Sequence, residues 1–399
     1  MDLTLFQDDT TGTLVPIAGH TPGAGPWSHF GFVPHPLGEH EPDLTGATYR
    51  KVSRARAALA ALDATAQRLP NPRLFRHSAL RLEAQSTAAL EGTYEPLPLV
   101  LSSDPEAEHD PSLREVLNFV KVAERAFAWN DDHRPWSVGV LSDLQSELLA
   151  GTRSEREHEG LRLGQVVVGQ RPDAEPSDHP IHAARYVPGP PGPDLEARVR
   201  DLLDWMAADH GTAIDPVVAA AMVHYAFEAL HPFHDGNGRL GRLLIVIQLQ
   251  LQSVLREPTL TVSPWFEARR GAYYDALMAV STVGDWSSWV GFFADGLAHS
   301  AADTSARMLE LAEVQTELTS VVHASTLRTA KARALVDHAV ARPSFSVNDA
   351  AAAIDLKYHG TAKLIEALCA LGVLAPVDDR AYGRLFHAPR VLEVLLRHR

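Results

Sequence analysis

The sequence predicts a mainly α-helical protein, with one small β-hairpin on a helical core and a helix-turn-helix-hairpin module at the C-terminal end. Three observations predict it. Apolar runs such as Ala219 to Leu230 (AAAMVHYAFEAL) are free of Gly and Pro and too long for strands, so they read as buried helices. A Val-rich stretch bracketed by glycines, Gly160 to Gly169 (GLRLGQVVVG), reads as a short hairpin region. Near the end, Ser346-Val-Asn-Asp349 has the form of a helix N-cap ahead of the run VNDAAAAIDL.

The elements follow in order. Residues 1–50 are rich in Gly, Pro and His and are assigned no element. Tyr49 to Leu69 has an apolar Ala/Leu face and reads as a helix, broken by Pro70-Asn71-Pro72. Leu80 to Leu90 (LRLEAQSTAAL) is rich in good helix formers, and Gly92 after Glu91 is its stop. After the hairpin region, Arg171 to Pro193 is loaded with Pro, Gly and Asp and reads as a loop into a helix that starts near Asp194. Ala219 to Leu230 ends at His231-Pro232, because the residue before proline is pushed out of the helical region. A second apolar run, Leu243 to Ile247, belongs to a buried helix that starts near Gly238 or Arg239. Trp286 to about Leu335 is helical in pattern. In the terminal module a turn falls near Leu356 to Gly360, and Thr361 to Leu371 is amphipathic. Gly372 stops that segment, and Val373 to Phe386 forms a wing around Asp378-Asp379.

Chemistry concentrates in His231-Pro-Phe-His-Asp-Gly-Asn-Gly-Arg-Leu-Gly-Arg242. This glycine-rich loop sits at a helix N-terminus, where unpaired N–H groups and the positive dipole end make an anion site. Gly236 and Gly238 allow close backbone approach to an anion. Arg239 and Arg242 are three apart, so they share a helix face and can fork onto phosphate oxygens. Asp235 is a hard oxygen ligand suited to a magnesium ion that also touches phosphates. Asn237 can donate its amide to a phosphoryl oxygen. His231 stands at the mouth of the loop with a free pKa suited to a general base.

This stretch resembles the signature of the Fic family, His-x-Phe-x-(Asp/Glu)-Gly-Asn-Gly-Arg-x-x-Arg, at every defined position. The likeness extends to His224, Phe227 and Glu228 upstream and to Leu117-Asn118. It covers about 115–300 and an N-terminal region of the same family. It implies a mostly helical enzyme that transfers AMP from ATP, with Mg2+, to a Ser, Thr or Tyr hydroxyl of a target protein, itself included. By position, His231 is the base and Asp235 the magnesium ligand. Gly236, Asn237, Gly238 and the neighbouring amides hold the α- and β-phosphates, Arg239 the β-phosphate and Arg242 the γ-phosphate, while Phe233 points inward. One branch of the family transfers the γ-phosphate and carries Lys in place of the second motif glycine; Gly238 favours AMP transfer. Another branch uses phosphocholine-type donors.

Thr87-Ala-Ala-Leu-Glu91-Gly92 resembles the inhibitory motif of Fic proteins, (Ser/Thr)-x-x-x-Glu-(Gly/Asn). The resemblance implies that Glu91 pairs with Arg242 and keeps it from the γ-phosphate. The same Glu can instead activate a water that removes AMP from a modified target. The hairpin region sits where Fic proteins carry a flap that pairs with an extended target segment. The implied organisation is an N-terminal Fic-associated region over 1–112 with the inhibitory helix at about 73–91. A Fic core over 113–300 follows, then a helical linker over 301–341 and a terminal module over 342–399. A homodimer is a further expectation from the family.

The terminal module resembles a winged helix-turn-helix. Eight Lys and Arg against six Asp and Glu leave 342–399 at +2, in a chain of −14. The overall charge argues against a whole-surface nucleic-acid binder. Lys357, Lys363 and Arg384 are candidate DNA phosphate contacts, with Tyr358 and His359 nearby. A second function class is therefore a DNA-binding regulator whose core senses nucleotide.

Mean hydropathy is −0.11 and no apolar run reaches transmembrane length, so no membrane association is expected. MDLTLFQDDT has neither a basic start nor an apolar run, and a cytoplasmic location is expected. One cysteine, Cys369, rules out an internal disulfide framework and is expected to be buried and inert. Despite 20 histidines, no zinc-type ligand spacing occurs near His224, His231 or His234. His224 reads as a hydrogen-bonded core histidine and His234 as a loop residue.

Overall fold

In the N-terminal segment, glycines stand where aromatic rings need room. A Cβ on Gly12 would meet the Phe32 ring at 2.4 Å, and one on Gly19 the Trp27 ring at 2.4 Å. That pairing makes an antiparallel hairpin of β1 (Gly12–Thr21) and β2 (Gly25–Pro34), where the sequence led to no element. Pro and Gly inside both strands hide the alternation that marks a strand. The structure is a computed structural model, and it describes residues 1–21, 25–39, 41–69, 71–103, 109–155, 160–175, 179–211, 213–327, 329–377 and 384–397.

Helices α1 (Gly46–Arg68) and α2 (Arg73–Leu90) follow, then the short α3 (Leu97–Ser102), α4 (Pro111–Asp131) and α5 (Val138–Leu149). Strand β3 (Val168–Gln170) does not pair within 160–169. Its partner is β4 (Ala184–Tyr186), which follows the single-turn α6 (Pro180–Ala183). The expected local hairpin and the expected loop over Arg171–Pro193 are both corrected by this pairing. The front half of the segment is tied elsewhere: the Arg162 N–H donates to Pro232 O at 2.9 Å.

Next come α7 (Pro193–Ala207), α8 (Pro216–Leu230) and α9 (Asn237–Leu251). Both α8 and α9 are buried almost all round because they lie between two apolar clusters. Met222 and Ile245 belong to one, and Phe227 and Leu244 to the other. Helix α2 is shared the same way, with Leu82 in the first cluster and Ala84 in the second. Its two buried charged residues inside the helix have partners: Glu83 accepts from Ser263 N at 3.0 Å, and the Arg81 guanidinium donates to Ser103 O at 2.8 Å. Helices α10 (Ser263–Glu267) and α11 (Arg270–Val283) lead to the 39-residue α12 (Trp286–Ala324), which packs along α1.

The helical pattern expected from Trp286 to Leu335 is two helices. It breaks after Ala324, where Ser325 Oγ donates to Val322 O and Thr329 caps α13 (Ala330–Ala341). Helix α13 packs on α2. Beyond it lie β5 (Phe345–Ser346), α14 (Val347–Ile354), α15 (Tyr358–Ala370), β6 (Ala375–Pro376), β7 (Leu385–His387) and α16 (Pro389–Arg397), with sheet order β5-β7-β6. Ser346 and Asp349 form a reciprocal capping box. The wing tip expected at Asp378-Asp379 lies outside the described residues, and the final helix had no counterpart in the sequence reading. Cys369 is half-buried, not buried, and burial pushes its thiol pKa up. Among the described residues no helix is long and apolar enough to cross a membrane.

Candidate active site

Helix α8 stops at His231, which adopts φ 46 and ψ 60, a left-handed conformation uncommon for a residue other than glycine. The loop then folds on its own side chains. Phe233 is fully buried. The Asn237 carboxamide accepts from Phe233 N at 2.9 Å and donates to Phe233 O at 2.8 Å, so both its ends are engaged by the loop. Its expected donation to a phosphoryl oxygen is thus made instead to a backbone carbonyl in this structure. Gly236, at φ 86, turns the chain into α9. The first N–H groups of α9 have no partner within the helix, which leaves an anion site at its start. Asn237→Ala leaves a buried N–H and C=O of Phe233 unpaired, so we expect a loss of about 2 kcal/mol, read from the urea unfolding midpoint.

A cavity of about 410 Å³ opens at this helix start, a volume suited to a small ligand. Its walls include Glu91 from the end of α2, Val168 to Gln170 of β3, Glu228 and His231 around the end of α8, Gly238 and Arg242 of α9, and Tyr274 of α11. Burial lowers the His231 pKa to about 4, against the upward pull of Glu91; Arg162 lowers it further. The imidazole is therefore neutral at neutral pH and able to take a proton. Glu228 goes the other way: burial raises its pKa to about 8, with Arg242 opposing and Glu91 adding.

Arg239 and Arg242 are each 1% exposed but have different partners. Arg239 donates to Glu115 of α4 at 2.7 Å and to Asp235 at 2.8 Å. Asp235 Oδ1 also accepts from Gly236 N. Burial raises the Asp235 pKa, but Arg239 and these hydrogen bonds outweigh it, so the carboxyl stays below its ordinary value. Arg242 donates from Nε to Thr87 Oγ1 at 2.7 Å and from one terminal nitrogen to Thr87 O at 3.1 Å and Glu91 Oε1 at 2.6 Å.

The end of α2 is shaped for that last contact. Gly92 N donates to Ala89 O and Thr93 N to Ala88 O, with Gly92 at φ 98, which closes the helix and leaves Glu91 as its C-cap. Gly238 provides the space: a Cβ there would lie 2.0 Å from Glu91 Oε1. Burial raises the Glu91 pKa, yet Arg242 overcomes this and holds the carboxylate ionised, below its usual range.

Of the predicted residues, Glu91, His231, Gly238 and Arg242 line the cavity; Thr87 joins them through Arg242, Gly92 follows Glu91, and Asp235, Gly236 and Arg239 are bonded to one another or to Glu115 behind the lining. Lys357, Lys363 and Arg384 are exposed and do not line the cavity. His224 is a core residue: it donates from Nδ1 to Gly241 O at 3.0 Å, so its Nε2 accepts from Tyr273 OH at 2.7 Å. Asn118 ties α4 to the end of α5 through Leu148 O and Ala150 O. Sequence reasoning missed Glu115 and Arg162. Glu115 stands beside Arg114 in an amphipathic helix and Arg162 inside the glycine-bracketed Val-rich stretch, and nothing local in either segment says which distant group it will meet. Among the described residues no group of three or more His, Cys, Asp or Glu is placed to hold a metal ion.

Residues 137–249 match the Fic/DOC family, and residues 49–128 match the Fic/DOC family N-terminal region. Protein adenylyltransferase fic-1 of Caenorhabditis elegans is 32% identical over 114 residues, 29% of this chain and 21% of that protein. Protein adenylyltransferase Fic of Culex quinquefasciatus is 38% identical over 113 residues, 28% of this chain and 21% of that protein. The matched segment spans about a fifth of the length of these relatives. The crystal structure of a Fic family protein from Desulfovibrio desulfuricans G20 superposes with a TM-score of 0.52 at 22% identity, over 88% of this chain and 98% of that one, a likeness of fold.

Proposed function

Residues 137–249 belong to the Fic/DOC family and residues 49–128 to its N-terminal family, and from that premise we propose that this chain is a protein adenylyltransferase restrained by Glu91. The observation that carries the reading is one cavity shared by a neutral histidine, the open start of α9 and an arginine already held by a carboxylate.

His231 takes the proton of a Ser, Thr or Tyr hydroxyl on the target protein. The hydroxyl oxygen attacks the α-phosphorus of ATP, a new P–O bond forms, and the bond to the β-phosphate bridging oxygen breaks to release pyrophosphate. Such transfers depend on positioning and charge stabilisation. The N–H groups at the start of α9, at Gly236 to Gly238, hold the α- and β-phosphates. Arg239 supports the β-phosphate, and Arg242, once free of Glu91, supports the γ-phosphate. The Asn237 side chain serves by keeping the loop in shape. Asp235, a half-buried ionised carboxylate, is the residue that would hold a Mg2+ ion, which would neutralise phosphate charge. Removal of AMP by the same site is a separate hydrolysis: Glu91 takes a proton from a water whose oxygen attacks the phosphorus, the bond to the target oxygen breaks, and that hydroxyl leaves with a proton, releasing AMP.

The test is AMP transfer from α-labelled ATP with magnesium in cell lysate. It compares the unaltered chain, Glu91→Gly and Glu91→Gly/His231→Ala. Label in the single variant that vanishes in the double variant supports the reading. No label in any of the three overturns it and moves the weight to another donor or to AMP removal.

A second reading concerns the terminal module, whose α14–α15 pair and three-stranded sheet support a winged helix-turn-helix. Lys357 and Lys363 are exposed on α15 and its N-cap, and Arg384 is exposed beside β7. On this reading the module binds DNA, and α13 passes the load to α2 because the two helices are packed together. A gel shift at two salt concentrations tests it. Removing each basic residue should reduce the log–log salt slope by about 1; a slope unchanged in all three variants rules out these contacts.

A further inference from the structure

Arg162 is one of the most deeply buried charges in the protein, 1% exposed. Every acceptor on it is a backbone carbonyl. Nε donates to His231 O at 2.8 Å, one terminal nitrogen donates to Gly189 O at 2.6 Å and Leu230 O at 3.4 Å, and the other is buried without a hydrogen-bond partner. Its own N–H donates to Pro232 O at 2.9 Å. Among the described residues no carboxylate pairs with it. A buried cation without an anion is costly, and a scaffold needing only a plug would hold an apolar residue there.

The positions of those carbonyls explain the charge. Leu230 and His231 end α8, where carbonyls lack intrahelical partners and the dipole is negative. A guanidinium there caps the helix as a glycine turn would elsewhere. Glycine is unavailable to this cap, because His231 occupies the left-handed position at φ 46. Arg162 holds the carbonyls of residues 230, 231 and 232, so it fixes the peptide planes on both sides of His231. It also ties this turn to Gly189, just beyond β4. One planar fork spans three acceptors in two segments, which an ammonium on a single stem does not do.

We propose that Arg162 is a positioning residue for His231: it holds the strained turn that aims the imidazole into the cavity. The proposal rests on the reading of His231 as the base. The charges around that ring are Glu91 at the end of α2, Asp235 in the loop, Arg162, and Arg242 and Glu228 across the cavity. Of these, Glu91 and Asp235 favour the protonated ring, and Arg162 opposes them along with burial.

The experiment uses the full chain in the Glu91→Gly background with Arg162→Met, Arg162→Lys and Arg162→Ala. We expect Arg162→Met to lower kcat about 100-fold, the cost of misaiming a reacting group by about 1 Å, with KM for ATP changed less than about threefold. The acid limb of kcat/KM should move up toward the ordinary imidazole value. Arg162→Lys should recover only part of kcat, and added guanidinium should raise the rate of Arg162→Ala. Independently of any activity, the NMR titration of His231, assigned by difference against His231→Ala, should move to higher pH in Arg162→Met, which removes the charge beside the ring, and move less in Arg162→Lys, which keeps one. Unchanged kcat in Arg162→Met, or an unmoved His231 titration in the folded Met variant, overturns the proposal. If Glu91→Gly itself transfers no AMP, the adenylyltransferase reading fails, and the His231 titration still decides whether Arg162 acts on the ring.

Discussion

Glu91→Gly should raise AMP transfer at least about tenfold, a change that needs only about 1.4 kcal/mol at the transition state. The argument is competition for one guanidinium. Arg242 is buried and donates to Glu91 Oε1 at 2.6 Å, so a γ-phosphate finds its partner already taken. Removing the carboxylate does not release the arginine. Its bonds to Thr87 Oγ1 and Thr87 O remain, so the freed donor stays aimed along the cavity wall. The same substitution leaves a buried cation without an anion, which lowers stability. The variant should therefore melt below the unaltered chain without nucleotide and recover more than that chain does on adding ATP and magnesium. Equal transfer by both proteins at saturating ATP would sink the idea of a brake.

His231→Ala in that activated background should lower kcat by about 100-fold to 10,000-fold, the range for losing a general base. The residue lines the cavity, with burial holding its pKa at about 4. The sign of the pH dependence follows. The base works when unprotonated, so kcat/KM, which reports the free enzyme, should hold from neutral pH downward and fall only as pH passes about 4. Glu91 raises this pKa, so its removal should move the limb lower still. Bound polyphosphate brings negative charge to the same cavity and raises it, so the limb of kcat should lie above that of kcat/KM. A rate profile of the activated enzyme and of its double variant measures both effects. A limb near the ordinary imidazole value for kcat/KM would show that burial does not control this ring.

Much of the helical fold was legible in the sequence because its signals are local. The turn at His231-Pro232, the start of α9, the stop at Gly92 and the cap at Ser346 are each written in a few consecutive residues. Each is decided by backbone sterics or a hydrogen bond spanning one turn. The hairpin of β1 and β2 was not legible, since its glycines answer to Phe32 and Trp27 on the opposite strand. Strand β3 was legible as extended chain, but its partner was not. Residues 168–170 pair with 184–186, and no local pattern names that partner.

In the site, composition alone marked the dozen residues from His231 to Arg242 as an anion-binding loop. The resemblance drew Glu91 to Arg242 across 151 residues. Only the tertiary structure decided that Arg239 is shared between Glu115 and Asp235, that Asn237 is spent on Phe233, and that a buried arginine 69 residues away holds the His231 carbonyl. The physical reason is the same in each case. A side chain's partner is chosen by which helix ends and loop carbonyls packing brings within hydrogen-bond reach, and one charged residue carries no local trace of that choice.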